Sequence, residues 1–155
     1  MKKQTAIALF HSMHPGFFER DYIRSISEDS WTFDEMMLRL DEFEPNRYEK
    51  ELDASVTFGF YEGSRAELLK TVEQVDAGWV EFFGESDRVF CGYLNEKAVS
   101  FCIVEDMGTH KLNGQILKIG RPGCVGTLPE YRDRGIGLMM VKKATQILKD
   151  EGYNY

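Results

Sequence analysis

The spacing of apolar side chains changes period several times along the chain, and each change predicts an element. Tyr22 to Ile26 reads as a short strand. Thr32-Phe33-Asp34-Glu35 then has the Thr-x-x-Glu form of a capping box. Phe33, Met36, Met37, Leu40 and Phe43 recur behind it at helical spacing, so a helix is expected until Pro45 stops it. Ser55 to Tyr61 alternates around Val56, Phe58 and Phe60, the two-residue period of a strand with one face inward. A second capping box, Ser64-Arg65-Ala66-Glu67, opens a helix expected to run through about Val75.

The middle of the chain is sheet-like. Arg88 to Leu94 and Ala98 to Val104 are rich in β-branched and aromatic residues and flank Asn95-Glu96-Lys97, which predicts a hairpin. Asn113-Gly114 suits the positive φ angles of a tight turn and leads into Gln115 to Ile119 and on to Cys124 to Thr127, giving three antiparallel strands in a row. Arg121-Pro122-Gly123 interrupts the last run, and proline cannot donate a ladder hydrogen bond, so a bulge or bend is expected there. From Arg134 to about Glu151 the period is helical again, with Ile136, Met139, Met140, Ala144, Ile147 and Leu148 on one face and Gly152 as a natural stop. The expected class is therefore α/β of the α+β kind, a mainly antiparallel central sheet flanked by helices.

With 155 residues, 43% of them hydrophobic, the chain has material for one core, so residues 1–85 and 86–155 are expected to be two segments of a single domain. The apolar run Ala6 to Phe10 is too short for a membrane span and lacks a cleavage pattern, which points to a cytoplasmic protein with no membrane partner. A net charge of −7 argues against nucleic acid as a partner, because phosphate-neutralising surfaces are basic. The charge is unevenly spread: Glu28 to Asp53 carries ten acids against three bases, whereas Lys111 to the end carries eight bases against four acids. An anionic ligand is thus better placed in the C-terminal part. Cys91, Cys102 and Cys124 are an odd number without metal-ligand spacing and read as buried reduced thiols, and no metal is expected.

Chemistry concentrates in Val125-Gly126-Thr127-Leu128-Pro129-Glu130-Tyr131-Arg132-Asp133-Arg134-Gly135-Ile136-Gly137-Leu138, which passes from a strand through a short loop into the last helix. The first turn of a helix leaves amides without intrahelical partners and carries partial positive charge, so backbone alone can bind a diphosphate. Gly135 and Gly137 carry no side chain to obstruct that approach, and Arg132 and Arg134 offer charge-assisted hydrogen bonds. A P-loop is excluded, because Gly137-Leu138-Met139 has neither the lysine nor the hydroxyl that motif requires. A dinucleotide fingerprint is excluded too, because its acidic residue would fall beyond Tyr155.

Arg132-x-x-Gly135-x-Gly137, following a strand with Val125 and Thr127 and a Pro129-Glu130-Tyr131 turn, resembles the Arg/Gln-x-x-Gly-x-Gly/Ala signature of GNAT acetyltransferases. The likeness covers residues 86–151 well and the first 85 loosely. It implies a GNAT-like sheet lacking the last strands of that fold, and an N-acetyltransferase that moves an acetyl or other acyl group from acetyl-CoA, its cosubstrate, to a small-molecule amine or a peptide amino group. By position it implies pyrophosphate contacts at Arg132, Arg134, Gly135, Ile136, Gly137 and Leu138, and backbone contacts to pantetheine and the acetyl carbonyl at Val125 and Thr127, with Val125 as oxyanion donor. Glu105, with Asp106 beside it, is the candidate for the base; His110 is expected in an exposed turn, and Cys124 lies near the acetyl position. The alternative function is a non-catalytic acyl-CoA sensor or structural module.

A GNAT domain continues, where this chain reaches Gly152-Tyr153-Asn154-Tyr155, into a strand that opens the pantetheine channel. A homodimer or a further C-terminal part is therefore expected, and no general acid is assigned. Acceptor specificity is not encoded in any motif; Phe17, Phe18, Trp31 and the acidic run are the nearest hints, and the aromatics read first as core.

Overall fold

A computed structural model describes residues 36–112 and 114–155, together with Ser12, Met13, Gly16 and Glu19. The expected strand at Tyr22 to Ile26, the Thr32 capping box, Phe17, Phe18 and Trp31 lie outside the described residues. Among the described residues the architecture is mixed α/β, with one four-stranded antiparallel sheet of order β1-β2-β3-β4. The strands are β1 (Val56–Phe60), β2 (Val89–Leu94), β3 (Lys97–Leu112) and β4 (Gln115–Thr127). Helix α1 (Arg65–Glu73) lies between β1 and β2, and α2 (Ile136–Asp150) follows β4.

Local chemistry explains the turns. Asn95 and Glu96 both sit in the left-handed region, φ 48° and 66°, and Leu94 faces Lys97 across them. A two-residue turn with both φ values positive matches the twist of the strands it joins, so Lys97 begins β3 instead of completing the turn. Leu112 faces Gln115 across the next turn, where Gly114 has φ 82°.

β3 continues well beyond Val104, so Glu105, Asp106 and His110 lie within a strand and not at a strand end or in a turn. Polar residues hide this continuation because β3 and β4 run on past β2 as a ribbon, and a two-stranded ribbon carries solvated side chains. β4 is likewise one strand where the sequence suggested two runs. Pro122 fits inside it because it faces Val104, whose N–H donates to Arg88 on the other side (2.8 Å); in such a pair the position of the missing N–H points away from β3. The bulge falls just beyond the expected tripeptide: Cys124, at φ 46°, and Val125 together oppose Cys102.

The helix expected up to Pro45 is not formed over its described part. Met36 to Arg39 have no regular structure and Leu40–Glu42 is a single 3-10 turn. The Leu40 amide donates to Asn154 C=O (2.9 Å), a tertiary bond that holds the segment against the C-terminal residues. Leu40 and Phe43 are buried all the same, since a 3-10 turn brings residues three apart to one side, while Met36 is 88% exposed. Ser64 starts α1 as expected, but through its backbone: its carbonyl accepts from the Glu67 and Leu68 amides, its side chain makes no cap bond, and the helix ends at Glu73, short of Val75.

Alternation along the strands sorts the core between two faces. Phe90, Cys102 and Val104 meet Met140, Ala144 and Leu148 of α2 on one face, joined by Leu40, Phe43 and Tyr153. Val89, Cys91, Phe101 and Ile103 meet Leu68 and Val72 of α1 and Phe83 on the other. Gly152, at φ 81°, ends α2 and turns the chain back along β4, where Asn154 N–H donates to Lys118 C=O (2.8 Å) and Gly120 N–H to Tyr155 C=O (2.9 Å). Among the described residues no helix is long and apolar enough to cross a membrane.

Candidate functional site

The strand-loop-helix segment that the sequence singles out forms one wall of an open groove of about 590 Å³. Its geometry starts from Gly135, which occupies the N-cap of α2 at φ 79°, a conformation that costs an L side chain roughly 1–2 kcal/mol. Among the described residues no side chain caps this helix, and its first turn contains no acidic residue. Met139 N–H donates to Gly135 C=O (3.0 Å), so the amides of Gly135, Ile136, Gly137 and Leu138 precede the ladder. The positive end of a fifteen-residue helix therefore borders the groove, beside the Lys50 stem that packs over Gly135.

Gly137 sets how close α2 comes to β4. A methyl group on Gly137 would lie 2.7 Å from Thr127 Oγ1. That hydroxyl belongs to a small buried network, in which Ser100 Oγ donates to Gly126 C=O (2.8 Å) and meets Thr127 Oγ1 (2.9 Å). Gly126 is fixed from the opposite face, where a methyl group would strike the Phe101 ring at 2.4 Å. Arg132 Nε donates to Thr127 C=O (3.1 Å), tying the loop to the strand end.

Val125, Thr127, Arg132, Gly135, Ile136, Gly137 and Leu138 all line this groove. Val125 is 40% exposed at the bulge. Arg134 is the exception among the expected cofactor contacts: it donates to Glu130 C=O (3.1 Å) and lies over the Tyr131 ring at 5.3 Å, outside the lining.

Glu105 lies elsewhere. It projects on the α1 face, and Arg121 Nε donates to its carboxylate at 2.6 Å across the ribbon, so it is not part of the groove wall. Asp106, the next residue, accepts from the Gly108 amide (2.8 Å). His110 is half-buried, with Nδ1 3.0 Å from Ser12 Oγ. Burial pushes the Cys91 and Cys102 thiols up to about 12, which keeps them protonated and unreactive. Cys124 is half-buried against the Phe101 cluster. Among the described residues no group of three or more His, Cys, Asp and Glu side chains is gathered to hold a metal ion.

The rest of the lining comes from the short segment after α1, with Val75, Asp76 and Trp79, and from Gly126, Tyr131 and Asp133. Asp76 and Trp79 carried no motif in the sequence. The one local signal was Asp76-x-Gly78, in which Asp76 Oδ1 accepts from the Gly78 amide (2.8 Å) and caps the 3-10 helix Ala77–Phe82. No model of a known family, no curated protein and no solved structure matches the chain.

Proposed function

We propose that the groove binds the diphosphate and pantetheine of acetyl-CoA and that the chain transfers the acyl group to a primary amine, in the manner of the GNAT acetyltransferases its loop resembles. The observation that carries this reading is the uncapped, acid-free start of α2 opening into the same groove as the bulged end of β4. Backbone amides of Gly135, Ile136, Gly137 and Leu138 would hold diphosphate oxygens, and Arg132, on the same wall, would add charge. Arg134 would act from outside the lining, through the field of its guanidinium. Thr127 and Val125 would lie along the pantetheine arm.

In the reaction, a neutral amine nitrogen attacks the thioester carbonyl carbon and the N–C bond forms. The Val125 amide donates to the oxyanion, the C–S bond breaks, and coenzyme A leaves as thiolate while the nitrogen gives up one proton to solvent water. Glu105, held by Arg121 outside the groove, has no route to that nitrogen in this arrangement except through solvent. This placement favours, as a second reading, a module that binds acyl-CoA without catalysis.

Titration calorimetry with acetyl-CoA tests binding: saturable heat is expected from the native chain and its loss on replacing Gly135 and Gly137 by valine, and a folded native sample without heat overturns both readings. A thiol-release assay across a panel of amines separates them, because a binding module releases no coenzyme A above background hydrolysis.

A further inference from the structure

A second hollow lies beside α2, about 310 Å³ in volume, and it shares no lining residue with the groove. Val141, Thr145 and Leu148 line it from the helix, four and then three positions apart, the spacing of one side of α2. β4 gives it Ile119 to Pro122, among them Gly120, which has no side chain to fill it. Met36 to Arg39 have no regular structure, so Met36, Met37 and Leu38 border the hollow without forming a helix face. Two of these apolar side chains meet solvent, Met36 at 88% and Leu38 at 44% exposure.

Polar groups of this lining are spent inside the fold. The Leu40 amide donates to Asn154 C=O and the Gly120 amide to Tyr155 C=O, both at 2.9 Å, and Thr145 Oγ1 donates to Val141 C=O (2.8 Å). Arg121, the one charged residue among the described residues of the lining, gives its Nε to Glu105 at 2.6 Å. A charged ligand would lose its water here without gaining a counter-ion.

Four of the seven methionines of the chain, Met13, Met36, Met37 and Met107, line the hollow. Thioethers adapt to irregular shapes and make favourable contacts with aromatic rings, so this concentration favours an aromatic guest over an aliphatic one. An apolar cavity of about 150 Å³ stays dry and admits benzene, and about 310 Å³ leaves room for two fused rings.

We infer that this hollow is a binding site for a small uncharged aromatic molecule of one or two rings. The site stands apart from the groove and does not rest on the acyltransferase reading. Methionine side chains hold the guest, so recognition is by size and by ring electrons and not by a fixed polar group.

The test uses the full chain labelled with carbon-13 at the methionine methyls, with naphthalene as probe and 1-naphthoate as its anionic counterpart, read by NMR. Saturable shifts are expected at Met13, Met36, Met37 and Met107, while Met139, which lines neither cavity, stays still. The naphthoate should bind about tenfold more weakly or worse, because its carboxylate finds no free counter-charge. Benzene should bind more tightly than cyclohexane, which has the same number of carbons and no ring electrons. Thr145→Phe fills the hollow and should abolish the naphthalene shifts. Met36→Gln, at an exposed position that leaves the fold intact, should weaken naphthalene severalfold and leave acetyl-CoA affinity unchanged. No saturable shift at the lining methionines, naphthoate as tight as naphthalene, cyclohexane as tight as benzene, or native affinity in Met36→Gln would each overturn the inference.

Discussion

β4 presses two of its glycines against neighbouring side chains, and the two neighbours differ in what they can concede. In the middle of the strand, a methyl group on Gly120 would lie 2.6 Å from the tip of Leu148 and 3.0 Å from the Tyr153 ring. The surroundings are soft: a hollow of about 310 Å³ beside α2 is lined by Met13, Met36, Met37 and Met107, unbranched side chains that fill irregular space. Near the end of the strand, the same addition on Gly126 meets three atoms of the Phe101 ring at 2.4–3.1 Å, and that ring is fully buried. The middle adapts by rotating side chains, whereas the end presents backbone whose position is set from beneath. Directional groups gather at the rigid end, where amides, a carboxylate and an indole converge, because a ligand is oriented only by groups that hold still.

Substitutions can break or sharpen this contrast. The largest effect is expected from Gly126→Ala, which overpacks the Phe101 ring and should cost about 2–3 kcal/mol, read as a lower urea midpoint at unchanged slope; a cost under about 1 kcal/mol would show the groove end to be as yielding as the middle. Next is Gly137→Ala, in which two terms oppose. Helix propensity favours alanine by about 0.8–1.0 kcal/mol, while the methyl displaces the Thr127 hydroxyl and sacrifices a hydrogen bond worth about 0.5–1.5 kcal/mol. Stability should therefore hardly move while acetyl-CoA affinity falls about tenfold, roughly 1.4 kcal/mol, by calorimetry. Gly120→Ala should cost about 1 kcal/mol, because the Leu148 methyl can rotate aside, and should leave acetyl-CoA affinity untouched.

The smallest expected effect concerns the far end of α2, where Arg88 Nη2 lies 2.5 Å from Glu151. The pair is partly exposed, so Arg88→Ala should cost less than about 1 kcal/mol at neutral pH. The hydrogen bond from Arg88 holds the Glu151 carboxyl below its ordinary value of 4.5. A depressed carboxyl stabilises the fold above its unfolded value and loses that contribution as pH falls through its folded value. The difference between native and variant in thermal melts should accordingly shrink below about pH 4.5 and should not reappear in acid.

Legibility differed from element to element for identifiable reasons. β1, α1 and α2 were readable because each lays its apolar residues on one face at its own period, and β2, buried on both faces, because β-branched and aromatic residues crowd a run bounded by turn residues; all of these are local properties. The charged outer parts of β3 and β4 were not, because Glu105, Asp106, Thr109 and Lys118 interrupt the apolar run, and the face that Met107, Leu117 and Ile119 bury is covered by segments distant in the chain. The segment around Leu40 has helical spacing and forms a 3-10 turn because its amide finds a partner in Asn154, more than a hundred residues away. At the groove, the loop and its glycines could be read from order along the chain, but Asp76 and Trp79 could not, since about fifty residues separate them from the loop with which they line it.

The sequence by itself determined the alternating sheet, the final amphipathic helix and the glycine-marked start of that helix, because period, turn chemistry and capping act over a few residues. Tertiary structure alone decided that Glu105 pairs with Arg121, that the bulge falls at Cys124 and Val125, and that an acid and an indole from the segment after α1 complete the groove. Such contacts join residues far apart in the chain, and their geometry is fixed only when the two faces of the sheet are packed together.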